Sequence, residues 1–377
     1  MKWEKKKLCE CTEYITDGDH QPAPKADKGV HFIKIKDIVD NQVSFDAQVY
    51  VPQEYYDNLP MERKPQKEDV LYTVVGSFGI PSYVQTDELF CFERNIALLH
   101  PNKDIEPRFL YYSLKNPAFY KGVEIVANGS AQKLIPLSKL KDLKISVPDK
   151  EAQRHIADIL SAYDDLIENN QKQIKLLEEA AQRLYKEWFV DLRFPGHENT
   201  KIVDGVPEGW SRGLLKELIS VNYGKDHKKA PDDGNIPVYG SGGLMRKCNK
   251  SLFSGEAVLI PRKGSLNNIM YVDETFWTVD TMFYATMKQP HTAVFVYFFV
   301  KAFDMYSMNI GAAVPSMTAK ILDAMDVVIP DKETLEKFDK YAKVYFNKIK
   351  TLQGQNEQLK TARDLLLPKF MSGEVEV

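Results

Sequence analysis

The chain has 377 residues, 44% hydrophobic and 11% aromatic, with a formal net charge of −3. That length allows two or three domains with ample core, and the composition excludes a disordered polymer. A small negative charge argues against a protein that coats nucleic acid over its whole surface, so any polyanion site has to be local.

No apolar run approaches the roughly 20 residues of a membrane helix, and FVYFFV at 295–300 is far too short. Lys2, Glu4 and Lys5 to Lys7 follow Met1 without an apolar core, so no secretory signal is expected and the cytoplasm is the expected compartment. Cys9, Cys11, Cys91 and Cys248 lie scattered; they lack zinc spacing and read as reduced, structural thiols.

In chain order, residues 1–147 read as a first globular domain. Alternation predicts short strands at 30–39, 70–76 and 95–100, and a helix at 106–116 after a proline start. Residues 52–69, rich in proline and charge, read as an exposed excursion. From Pro148 to Phe189 the pattern changes to one long helix. Ile156, Tyr163, Leu177 and Leu184 form one apolar series, interleaved with Leu160, Ile167, Ile174, Ala181 and Trp188. This three-then-four alternation is a coiled-coil seam, and at about 1.5 Å per residue the helix is roughly 55 Å long.

Residues 190–205 lack periodicity and read as a linker into a second globular domain, 206–329, which opens at Trp210 as the first opens at Trp3. VLYTVVGSFGIPSYV at 70–84 matches VLIPRKGSLNNIMYV at 258–272, and LYYSLK at 110–115 falls near VYFFVK at 296–301. Residues 330–377 repeat the long helix without a gap at a shift of 182 positions, Pro148 falling on Pro330. The seam phases repeat as Phe338, Tyr345, Leu352, Leu359 and Leu366, with Ala342, Ile349, Asn356, Arg363 and Phe370. The match also runs upstream, where the segment from Gly129 answers that from Gly311, each reading as a loop, a short helix and a strand. An internal repeat this long means that the protein is built twice.

The expected fold is therefore α+β: two globular α/β domains separated by two long antiparallel coiled-coil helices, with an internal pseudo-two-fold repeat. Pairing residues whose numbers sum to 526 sets Leu160 on Leu366, Tyr163 on Arg363, Ile167 on Leu359, Ile174 on Leu352, Leu177 on Ile349 and Trp188 on Phe338. The two polar seam residues, Asn170 and Asn356, then face each other. A slip of one heptad buries each amide against an apolar partner, at about 1–3 kcal/mol for each unpaired group.

Catalytic motifs are weak. Asn116-Pro-Ala-Phe-Tyr120 approaches the loop with which amino-methyltransferases hold a flipped adenine, but Ala118 replaces the second proline and no glycine-rich cofactor loop precedes it. Asp149 and Asp331 sit where each long helix needs an N-terminal cap. No phosphate loop, zinc spacing or Ser-His-Asp set is present, and the four-residue turns at 76–79 and 240–243 are lone glycine-rich signals. What remains is recognition. Loops of the second domain carry Lys225, His227, Lys228, Lys229, Tyr239, Ser241, Arg246, Arg262, Lys263, Ser265 and Asn267, to which the first domain adds Lys34, Ser77, Tyr83, Arg94 and Lys133. Cations, hydroxyls and amides on loops are the mixture used for phosphate and base-edge contacts; the plain alternative is a solvated basic surface.

Five stretches carry a resemblance: QKLIPLSKLKDLKISVPDKEAQRHIADILSAYDDLIE (132–168), RLYKEWFVDLRFPG (183–196), VPEGW (206–210), IPVYGSGG (236–243) and LLLPKFMSGEV (365–375). In these the chain resembles the specificity subunit of type I restriction-modification systems, which serve host defence. The resemblance implies two target-recognition domains, each reading one half of a split, asymmetric target in double-stranded DNA. The long helices would set the half-site spacing and dock two modification subunits, with two ATP-dependent restriction subunits added outside. S-adenosylmethionine would sit on the modification subunits, and this chain would bind no cofactor or metal and supply no catalytic residue. Base-reading loops vary freely in that family, so no base-contacting residue is carried over. Two other readings remain: a methyltransferase or nuclease, against which the missing cofactor and metal motifs count, and a coiled-coil adaptor that binds protein only.

Overall fold

The seam spacing folds into two helices, Lys150–Tyr185 and Lys332–Ser372, the first continuing as a wider π turn over Lys186–Val190. Their starts are fixed as the sequence requires. Asp149 accepts from the amide of Ala152 at 3.0 Å, and Asp331 accepts from the amide and hydroxyl of Thr334 at 2.9 and 2.7 Å. The computed structural model describes residues 3–39, 41–127, 133–308 and 316–376, without the side chain of Lys229. The loop halves of the upstream match, 129–132 and 311–315, lie outside these residues. Among the described residues no helix is long and apolar enough to cross a membrane.

Two units make up the chain: Met1–Asn170 with Gly354–Val377, and Gln171–Gln353. In the first unit the two helix segments run antiparallel. Asn170 donates to Asn356 at 2.8 Å with both side chains buried, and Arg363 pairs with Asp164. Ile156 and Leu160 enter one core with Leu366, Leu367 and Phe370, Ile167 is buried, and Tyr163 and Leu359 are half-buried. In the second unit Trp188 meets Phe338 with ring centroids 5.8 Å apart. Ala181 and Leu184 share a core there with Ala342 and Tyr345, Ile349 and Leu352 are buried, and Ile174 and Leu177 are half-buried. Asn170 with Asn356 and Trp188 with Phe338 both satisfy the sum of 526.

The first unit's globular part holds a four-stranded antiparallel sheet in the order Thr12–Asp17, Ile96–Pro101, Val70–Thr73, Pro81–Tyr83. A three-stranded sheet beside it sets Val30–Ile33 between Tyr50–Val51 and Phe90–Phe92, parallel to the latter. The second unit joins the corresponding strands into one six-stranded sheet: Ile219–Tyr223, Met282–Met287, Phe253–Pro261, Met270–Thr278, Ile236–Gly240, Gly243–Cys248. The difference lies in one strand. Met270–Thr278 is continuous, whereas its counterpart is broken into Pro81–Tyr83 and Phe90–Phe92 by the polar run Gln85-Thr86-Asp87-Glu88, where the repeat offset drops from 188 to 186. Two extra residues and four polar side chains therefore split the strand.

The repeat also holds at the level of pairing. Val70 pairs with Tyr83 and Leu71 with Ser82; 188 positions on, Val258 pairs with Tyr271 and Leu259 with Met270. Leu137–Asp142 and Lys144–Val147 recur 182 positions later as Ala319–Asp323 and Asp326–Ile329. Each of these strands pairs with the strand that opens its domain, Glu4–Lys7 or Ser211–Leu214.

Three expectations need correction. Residues 30–39 form two strands rather than one, Val30–Ile33 and the short Ile38–Val39, because Asp37 takes the amide of Lys34 and a 3-10 turn, Ile35–Asp37, interrupts them. Residues 52–69 are not a bare excursion, since Gln53–Asp57 is helical, Tyr56 is buried, and Arg63 pairs with Asp19 at 3.4 Å. Between 190 and 205 the chain is anchored: Phe194 is buried against Trp210 with ring centroids 4.8 Å apart, and Ile202–Val203 pairs with Val206–Pro207.

Asn356→Leu alone strands the buried amide of Asn170 and is expected to cost about 1–3 kcal/mol, whereas Asn170→Leu with Asn356→Leu is expected to lie near the wild type or above it. Urea unfolding of the three chains checks this.

Candidate nucleic-acid interface

In the second unit one corner of the six-stranded sheet gathers most of the candidate loop residues. The strand Ile219–Tyr223 ends in the turn Tyr223-Gly224-Lys225, where a Cβ on Gly224 would collide with the carbonyl of Val279, so only glycine lets the chain cross there. Tyr223 is 54% exposed, packs edge-on against Phe283 and lies under the guanidinium of Arg262, 5.5 Å from its ring centroid. Arg262 also reaches the carbonyl of Asp280 at 3.3 Å. Beyond it, Lys263, Gly264, Ser265 and Asn267 are exposed on the loop to the next strand. Asn268 donates to the carbonyl of Ser241 at 2.9 Å, and Tyr306 to that of Gly264 at 3.2 Å. Lys225, Lys228 and Lys263 are exposed and form no ion pair among the described residues.

Four candidates are committed to the protein itself. Arg246 braces its own loop by donating to the carbonyls of His227 and Ala230 and to Asp232. Tyr239 donates to Glu274 at 2.6 Å, and its phenol pKa is pushed up by burial first and that carboxylate second. Asn267 spends its amide on Asp304 at 3.0 Å and its carbonyl on the amide of Met305 at 2.8 Å. In the first unit Tyr83 packs between Tyr111 and Arg108. His227 is half-buried in a short turn capped by Asp226, and the Lys229 side chain lies outside the described residues.

The matching corner of the first unit has other chemistry. Its hairpin turn runs through Gly76 and Gly79 at positive φ, with Ser77 exposed between them. Phe78 stacks on Tyr120 at 5.7 Å, and Lys133 lies 5.2 Å from the Phe78 ring and 3.5 Å from Glu124. Tyr120 also lines a groove of about 600 Å³ with Asn41, Lys115, Pro117 and Lys121. Arg94 is exposed on an adjacent turn, which the amide of Val74 joins through the carbonyl of Asn95 at 2.9 Å. Lys34 borders a separate shallow groove with Lys25 and Tyr50. Where the second unit has Tyr223-Gly224-Lys225, the first has Asp17-Gly18-Asp19, paired with His20 and Arg63. Gly18 is as tightly enclosed as Gly224, its missing Cβ facing the carbonyl of Phe92.

Sequence reasoning missed Tyr223, Phe78, and the pair Tyr120 and Tyr306. A signal for the pair existed, since a shift of 186 lays Tyr120 on Tyr306. Asn116-Pro-Ala-Phe-Tyr120 proves to be helix punctuation, with Asn116 accepting from the amide of Ala118 to cap Pro117–Val126.

Two copies of one domain, each continuous with a long helix and each carrying its own loop chemistry, define the class of protein. A family model described as type I restriction modification DNA specificity domain matches residues 1–179 and again 207–361, and the chain belongs to that family. It is similar to the type I restriction enzyme MjaIX specificity subunit of Methanocaldococcus jannaschii, 26% identical over 325 residues that cover 75% of this chain and 72% of the relative. It is also similar to the HindI specificity subunit of Haemophilus influenzae, 23% identical over 421 residues covering 84% and 89%. Among solved structures, the S subunit of a type I restriction-modification system from M. genitalium shares the fold, with a TM-score of 0.62 at 19% identity over 98% of this chain and 96% of that one.

Gly224→Ala and Gly18→Ala are each expected to lower stability by roughly 2 kcal/mol or more, read as a shift in the urea midpoint, because each forces a carbonyl of the neighbouring turn to move.

Proposed function

We propose that this chain is the DNA-reading part of a type I restriction-modification assembly, in which residues 1–147 and 206–329 each read one half of a bipartite, asymmetric target. In this reading it works in the cytoplasm and holds no cofactor and no catalytic residue. Two modification subunits dock on it and supply S-adenosylmethionine and adenine methylation, and two restriction subunits complete the assembly. The observation that carries the reading is that two hairpins of identical pairing register, Val70–Tyr83 and Val258–Tyr271, present unlike loops. A frame kept while its loops diverge suits two different half-sites. The net charge of −3 fits a subunit whose partners cover much of the DNA backbone.

Within the second domain the reading assigns Arg262, Lys263, Lys225, Lys228 and Ser265 to DNA, with Tyr223 and Tyr306 as apolar walls. Ser241 serves through its backbone, holding Asn268 and with it the loop. In the first domain it assigns Ser77, Lys133, Arg94 and Lys34, with Phe78 and Tyr120 beside them. Lysines supply screened phosphate contacts, whereas an arginine fork can also read guanine.

Purified alone, the chain is expected not to methylate DNA, and with modification subunits it is expected to support methylation of adenine in one split sequence. Methylation by the isolated chain favours the enzyme reading instead. Replacing residues 206–329 with those of a relative is expected to change one half-site and leave the other, read by methylation-sensitive sequencing.

Arg262→Ala is expected to weaken binding by about 1–3 kcal/mol with relaxed specificity at one position if it reads a base. If it holds a phosphate, binding weakens across all sequences and the salt slope falls by about one. Unchanged affinity at every salt concentration removes Arg262 from the interface.

A further inference from the structure

We propose that the long helices carry two chemically exclusive seats, so that each globular domain fits only its own seat and the order of the two domains is written into the helices. The seats compare position by position, because the long helices repeat at a shift of 182 and the docking helices Pro107–Lys115 and Ala293–Lys301 at 186. One feature is common to both. Lys115 donates to the hydroxyl of Tyr111 at 3.0 Å and Lys301 to that of Tyr297 at 2.7 Å.

Elsewhere the seats are inverted. In the first, Tyr112 donates to Asp164 at 2.7 Å, and Asp164 also receives Arg363 and lies 3.7 Å from Lys115. Their counterparts in the second are apolar: Phe298 for Tyr112, Phe346 for Asp164 and Ala181 for Arg363. Phe298 lies 6.0 Å from Phe346 and stacks on Tyr185 at 5.4 Å. A phenol, a carboxylate and a guanidinium have been exchanged together for two rings and a methyl group.

The exchange also runs the other way. In the second seat Asp339, almost wholly buried, takes Lys343 and His291, each at 2.8 Å. Lys343 reaches Glu256 at 3.0 Å, and Tyr271 donates to Glu256 at 2.6 Å. The first seat has Ala157, Ser161 and Ile105 where the second has Asp339, Lys343 and His291, and both Ala157 and Ile105 lie in its apolar core. Each seat is ionic where the other is apolar or small. Burial lowers the pKa of Lys115 to about 8 against the pull of Asp164, as expected of a dry seat.

A second-domain copy on the first seat sets Phe298 against Asp164 and Arg363, and leaves the half-buried Glu256 without Lys343 and the exposed His291 without Asp339, the last at little cost. The reverse transplant buries the Tyr112 hydroxyl against Phe346 and points Asp339 at Ile105. Buried polar and charged groups without partners carry the largest penalties available to a side chain.

The test uses full-length chains and thermal unfolding. In one chain residues 206–329 also replace residues 1–147; a second adds Ala157→Asp, Ser161→Lys, Asp164→Phe and Arg363→Ala, and the same four changes are made in the wild type. They are expected to raise the melting temperature of the duplicated chain by about 5 °C or more and to lower that of the wild type by a similar amount. A shift of the same sign in both, or a duplicated chain that melts with the wild type, overturns the proposal. If neither duplicated chain folds, the wild-type background decides. Asp164→Phe alone is expected to melt several degrees low and the Tyr112→Phe/Asp164→Phe/Arg363→Ala chain to recover most of that loss, a coupling that independent sites do not show; equal losses overturn it. Melting is read on the chain alone, so its failure and the failure of the DNA-specificity reading, read by methylation, are separate outcomes.

Discussion

A single hydrogen bond between two buried amides sets the register on which the rest of the structure depends. Asn170 and Asn356 lie 2.8 Å apart, both buried, in a mostly apolar seam. Aliphatic side chains tolerate a heptad slip because one leucine replaces another, but an amide moved onto an apolar partner loses its hydrogen bond in a place where water cannot replace it. The same register brings Arg363 to Asp164 in one unit and Trp188 to Phe338 in the other. Asp164 and Arg363 belong to the first seat, and Phe338 packs against Tyr185 of the second, so a slip of the helices would dismantle both.

Repetition with divergence is the second organising fact, and it occurs at three depths. Backbone pairing is kept, as in the two hairpins that align at a shift of 188. Helix seats are kept in outline, with ionic groups exchanged for apolar or small ones between them. Exposed corners are free, so that Asp17-Gly18-Asp19 and Tyr223-Gly224-Lys225 share only the glycine that neither backbone can do without. This order follows the cost of change. A lost ladder bond or a colliding Cβ is felt by the whole sheet, a buried ion pair must be exchanged as a set, and a solvated side chain is replaced at little cost.

The corner of the second unit shows why a loop rich in cations is not by itself a binding surface. Arg246 and Arg262 look alike in sequence. Arg246 has its guanidinium taken by three carbonyls and Asp232, while Arg262 lies across the exposed ring of Tyr223 with one weak carbonyl contact. Arg262 therefore keeps most of its donors for a phosphate or a base edge, whereas both terminal nitrogens of Arg246 are taken.

The sequence by itself determined the frame. Heptad spacing, a gapless repeat and two asparagines at complementary positions are local and periodic properties, and they specify two helices, their phase and their register without reference to anything distant. The helix 106–116, the capping aspartates and the hairpin match were legible for the same reason. Tertiary structure decided the rest. That Tyr83 and Tyr239 pack against the protein, that the exposed Asn267 spends its side-chain amide on Asp304 and Met305, that Phe194 anchors a stretch resembling a linker, and that Tyr120 and Tyr306 stand beside the hairpins all depend on partners distant in the sequence. The exchange of Asp164 and Tyr112 for Phe346 and Phe298 could be written down from the repeat, but its meaning appears only once the docking helices are laid on their seats, because a side chain's chemistry is set by what it is buried against.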